Sequence, residues 1–159
     1  MYTKEEASAV RRQFWTSFGK YMSPVLSSAN RQVNWINYRT GIKAIAFKMD
    51  ATMQGAFVAI EISGKEASLR ETYFNHFIPL RQVFEEITGE KWQWELKTRS
   101  ASGNEIARIF LLLDNINVHR ESDWPAIISF LKKGIMGLDR FWNEYREIFE
   151  SIDPGTSQF

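Results

Sequence analysis

Phe57-Val58-Ala59-Ile60-Glu61-Ile62-Ser63-Gly64 is the stretch on which the fold turns. β-branched and aromatic residues run from Phe57 to Ile62, and Ser63-Gly64 closes the run, which is the pattern of a short buried strand. One carboxylate, Glu61, sits among them. Burying an unpaired carboxylate costs several kcal/mol, roughly, so the residue calls for a partner, a proton or a chemical task. An arginine or a tryptophan indole would supply the partner.

Working outward, residues 42–49 and Val33-Asn34-Trp35-Ile36-Asn37-Tyr38 are rich in strand formers, and Arg39-Thr40-Gly41 between them suits a hairpin turn. Three strands in a meander are expected. Upstream, Thr3-Lys4-Glu5-Glu6 is a capping box, and Ala7, Val10, Phe14, Phe18 and Tyr21 recur at helical spacing until Pro24 ends the run. Downstream, Leu69, Tyr73, Phe77, Leu80, Phe84 and Ile87 mark a second helix that Pro79 should kink or split and Gly89 should stop.

Trp92-Gln93-Trp94-Glu95-Leu96-Lys97-Thr98 alternates with period two and reads as a half-exposed strand. Residues 107–113 make a fifth. A long helix follows from Trp124 to Phe149, with Gly134 and Gly137 as places where it could break. The order α-β-β-β-α-β-β-α predicts one α+β domain over residues 1–150, a mixed or largely antiparallel five-stranded sheet packed by helices, and a flexible tail over 151–159. The third and fourth strands, joined by a crossover helix, are expected to lie parallel.

The chain of 159 residues is long enough for one core without staples. It has no cysteine and two histidines, which argues against a thiolate–imidazole zinc site. No apolar run is long enough for a signal peptide or a bilayer span, so a cytoplasmic protein with no membrane partner is expected. Net charge is +1 but unevenly spread: residues 1–60 hold eight Lys/Arg against three Asp/Glu, and residues 61–159 hold twelve against sixteen. No nucleophile elbow, phosphate-binding glycine loop or dinucleotide fingerprint is present.

Two constellations carry the functional expectations. In the first, Arg31, Arg39, Lys43 and Lys48 interleave with Trp35 and Tyr38, a pattern suited to phosphate contacts and base stacking. The second is a carboxylate pair. The leading α-β-β-β-α-β order is that of the restriction-endonuclease-like fold, and Asp50 precedes Glu61 by eleven residues. Two such acids could hold Mg or Mn beside a scissile phosphate. That fold's Glu-x-Lys lysine is missing, because Ser63 stands in its place. Glu95-Leu96-Lys97 does spell the motif, but on a strand after the crossover helix, where a cross-strand charge pair accounts for it.

Phe14-Trp15-Thr16-Ser17-Phe18-Gly19-Lys20-Tyr21-Met22, Asn34 to Gly41, Phe47-Lys48-Met49-Asp50-Ala51 and Ala59-Ile60-Glu61-Ile62 together resemble the domain-of-unknown-function 4268 family of bacterial proteins. The resemblance covers nearly the whole chain. It implies a small cytoplasmic domain that occurs alone or follows a nuclease-like domain, and it transfers no catalytic residue. The leading expectation is therefore a non-catalytic binding or accessory module linked to nucleic-acid processing or defence, needing no cofactor. The alternatives are a metal-dependent nuclease using Asp50 and Glu61, and a protein-interaction or homodimerisation domain.

Overall fold

The computed structural model describes residues 3–152. Helix α1 (Lys4–Met22) opens with the capping box: the Thr3 hydroxyl accepts from the Glu6 amide, and the Glu6 carboxylate accepts from the Thr3 amide. Phe14, Phe18 and Met22 form its buried stripe. An irregular segment then leads to β1 (Ile45–Ala51), β2 (Gly55–Ile62), α2 (Ala67–Phe77), α3 (Arg81–Thr88), β3 (Gln93–Arg99), β4 (Glu105–Asp114) and the long α4 (Trp124–Glu150). Pro79 splits the second helical run as expected, leaving a single 3-10 turn between α2 and α3. Gly89, at φ 73°, adopts the left-handed conformation that ends α3.

The sheet has four strands in the order β1-β2-β4-β3, all antiparallel. This corrects the five-stranded expectation. Residues 33–38 form no strand: they turn at Asn34 to Asn37, where the Asn34 side-chain oxygen accepts from the Asn37 amide, and the Trp35 indole is anchored on the Val25 carbonyl. β2 and β3 do point the same way after the α2–α3 crossover, but they are not neighbours. The β3–β4 hairpin folds β4 into the space between them, so β2 gains an antiparallel partner. The meander and parallel neighbour that suggested an endonuclease-like sheet are not formed.

Every second residue of each strand faces the helices. Phe47 meets Trp142 edge-on, with ring centroids 5.7 Å apart. Trp94 lies between Phe74 and Phe84. The opposite face carries Lys48 and Asp50 of β1, Phe57 and Glu61 of β2, and Arg108, Phe110 and Leu112 of β4. Among the described residues, no helix is long and apolar enough to cross a membrane. Asp153 to Ser157, the greater part of the expected tail, lie outside the described residues.

α4 runs through Gly134 and Gly137 without a break. Both glycines are buried, and they serve close packing rather than chain breaking. A Cβ on Gly134 would come within 2.7 Å of the Val58 side chain, so glycine lets the helix axis approach β2. Gly134→Ala should cost about 1–3 kcal/mol through overpacking. Urea unfolding of the single variants and of Gly134→Ala/Val58→Ala tests this: the double variant should lose less than the two single losses combined, whereas strict additivity would show that the close approach is not the cause.

Candidate polar cleft

Glu61 lies directly across from Arg108 on β4, with its carboxylate 3.9 Å from the guanidinium. Both side chains are largely buried, at 16% and 18% exposure. The Arg108 guanidinium also packs over the rings of Phe57 and Phe110, at 4.5 and 4.6 Å from their centroids. Cation–π contact and charge pairing thus share the same cation. Asp50 is engaged elsewhere, accepting from Arg11 at 2.5 Å and from the Ala51 amide.

The two carboxylates share a sheet face but not a site. Asp50 pairs in register with Phe57, four residues before Glu61 on β2, which separates them by roughly 13 Å along the strand. A single cation reaches ligands at about 2–2.6 Å, so these residues as placed cannot hold one together. Among the described residues, no group of three or more His, Asp or Glu side chains is arranged to hold a metal ion.

The basic–aromatic set divides three ways. Trp35 is 3% exposed, and its indole donates to the Val25 carbonyl, so it is a buried anchor with no face for a base. Lys43 lines a separate, apolar cavity between Leu69, Tyr73 and Phe149. Lys48 is exposed on the far face of the sheet. Arg31, Tyr38 and Arg39, by contrast, come together at one cleft of about 460 Å³.

The segment before β1 builds one wall of that cleft. After Pro24 the chain turns at Ser27 to Asn30, where Asn30 takes a φ of 62° and the Ser27 hydroxyl accepts from the amides of Ala29 and Arg31. Two indoles hold the segment down: Trp35 bonds to Val25, and Trp142 of α4 donates to the Thr40 carbonyl at 2.8 Å. Tyr38 stacks on Phe47 with centroids 5.1 Å apart.

α4 builds the other wall, and sequence reasoning missed its contribution. Asp139, Asn143 and Arg146 recur at spacings of four and three, which places them on one helix face; that spacing was the available signal. Asp139 is 1% exposed and accepts only from donors: the Tyr38 hydroxyl at 2.6 Å, the Ser28 amide at 2.7 Å and the Asn143 side chain at 3.0 Å. Asn143 also bonds to the Ser28 hydroxyl. The polar floor is therefore internally satisfied, while Arg31, Arg39 and Arg146 are exposed and line the cleft around it. Among the described residues, no carboxylate forms an ion pair with any of these three, in contrast to Arg11, Arg70, Arg81, Arg108 and Arg120.

With this geometry in view, comparison with known proteins gives one positive result. The family model described as Domain of unknown function (DUF4268) matches residues 10–146. The chain belongs to this family. No curated protein and no solved structure matches it. The matched span of the DUF4268 domain runs from α1 to Arg146, so it includes both walls of the cleft.

The Tyr38 phenol is raised well above its ordinary value, chiefly by burial and then by its hydrogen bond and charge repulsion with Asp139, partly offset by Arg146. The unfolded chain releases this proton near pH 10 and the folded chain only at higher pH. The folded form thus holds more protons above pH 10, and stability should fall as pH rises from there. Tyr38→Phe should flatten that fall in pH-dependent urea denaturation. Asp139→Ala strands the Tyr38 and Ser28 donors and should cost about 2–4 kcal/mol in the same measurement at neutral pH.

Proposed function

We propose that this chain is a non-catalytic module that binds nucleic acid, with the cleft between the 27–39 segment and α4 as its contact surface. The observation that carries this reading is the meeting of Arg31, Arg39 and Arg146 at one concavity without acidic partners. Guanidiniums are suited to bidentate contact with phosphate oxygens. They come from two separate parts of the chain, the 27–39 segment and α4, and line a cleft whose floor has its own hydrogen bonds complete, so a bound phosphate meets a prepared set of donors. Asn34 and Asn37, on the same rim, add amide donors and acceptors for sugar hydroxyls or base edges.

The nuclease alternative built on Asp50 and Glu61 has less support, since each acid faces an arginine and the two stand apart along the sheet. An endonuclease-like fold likewise has less support, since the sheet is antiparallel throughout and has four strands.

Fluorescence anisotropy of a labelled single-stranded oligonucleotide tests the binding reading. With three arginine–phosphate contacts, log K should fall against log salt with a slope of about −2. Replacing any one of Arg31, Arg39 or Arg146 by alanine should weaken binding about 5- to 20-fold and reduce the slope by about 0.7–1. Full affinity in the triple variant, or no binding at low salt, would overturn the proposal.

A further inference from the structure

The charge and size of the cleft narrow its ligand further, on the footing of the nucleic-acid reading above. Three guanidiniums against the one carboxylate of Asp139 leave the site two positive charges in excess. Asp139 enters that balance as an anion because all three of its hydrogen-bonding neighbours are donors. A phosphodiester inside a strand carries one negative charge, whereas a terminal phosphomonoester carries about −1.5 to −2 at neutral pH. The monoester matches the excess, and the diester leaves it half compensated.

Shape points the same way. A cleft of about 460 Å³ has the dimensions of a small-molecule site rather than of a groove tracking a continuous backbone. The cations come from two elements: Arg31 and Arg39 from the two ends of a nine-residue loop segment, Arg146 from the last turns of α4. Such an arrangement encloses a phosphate with several free oxygens, whereas a diester, esterified on two of its oxygens, offers fewer acceptors to the same donors. Among the described residues only one aromatic side chain, Tyr38, lines the site, and one face of its ring is stacked on Phe47 while Trp35 is buried, so there is no run of aromatic faces for continuous stacking.

We infer that the cleft captures the terminal phosphomonoester of a nucleic-acid strand, with Arg31, Arg39 and Arg146 as the phosphate clamp and Asn34 and Asn37 beside the terminal nucleotide. The full chain binds strand ends in preference to strand interiors.

The test uses one internally labelled single-stranded 12-mer in three forms: 5′-phosphorylated, 3′-phosphorylated, and with hydroxyls at both ends. Anisotropy titrations should show one phosphorylated form binding at least about 10-fold more tightly than the hydroxyl form, the preference vanishing in Arg39→Ala and Arg146→Ala. Both variants should keep the parent's urea midpoint, because both side chains are exposed and unpaired. Equal, salt-sensitive binding of all three forms would overturn the end-capture inference while leaving nucleic-acid binding intact. No binding of any form would overturn both. A free 5′-mononucleotide that displaces the phosphorylated strand with affinity equal to the strand's own would overturn the strand as the source of the phosphate.

Discussion

A carboxylate buried on a helix must be surrounded by donors, and Asp139 obtains two of its three from a segment more than a hundred residues away in sequence. That requirement fixes the path of the chain between α1 and β1. The Ser28 amide and the Tyr38 hydroxyl can both reach Asp139 only if residues 27–39 fold back across α4, and the indoles of Trp35 and Trp142 fasten the same segment at two further points. Leaving any of these donors without a partner would cost free energy comparable to the hydrogen bond itself, so the polar network and the path of the segment are one structure.

The acids of the sheet are handled in a different way, by direct pairing across strands and from α1. Arg108 answers Glu61, Arg11 answers Asp50, and the buried Arg70 is matched to Glu105. Each pairing ties up a charge that could otherwise serve chemistry. Arg31, Arg39 and Arg146 are exposed and have no acid partner among the described residues, and what distinguishes them is that they line one cleft. Membership of the DUF4268 family is compatible with such a binding role and names no activity.

The long helix is what brings these parts together. Its glycines let it lie close to β2 and to Thr88 at the end of α3, and its polar face, beginning two residues after Gly137, presents Asp139, Asn143 and Arg146 to the segment before β1. The close packing at Gly134 and Gly137 and one wall of the cleft are thus set by the same helix, which holds part of the cleft on helix rather than on loop alone.

Local chemistry was legible where it was self-contained. The capping box at Thr3, the split at Pro79, the stop at Gly89, the alternation of β3 and the hydrophobic stripe of α4 each involve residues close in sequence, and each forms as the pattern predicts. Arg31, Tyr38 and Arg39 could be grouped as candidates for the same reason, being close neighbours in the chain, and they line one cleft. What the sequence could not decide was pairing at a distance. The strand propensity of residues 33–38 was overridden where Trp35 is buried as an anchor and Tyr38 is tied to Asp139, while the Asn34 side chain takes the Asn37 amide into a turn. The insertion of β4 between β2 and β3, the answering of Glu61 by Arg108, and the joining of Arg146 to the loop arginines all depend on which elements meet in space. That choice is made by burial and by the need to satisfy every buried polar group, neither of which is a property of any one stretch of residues.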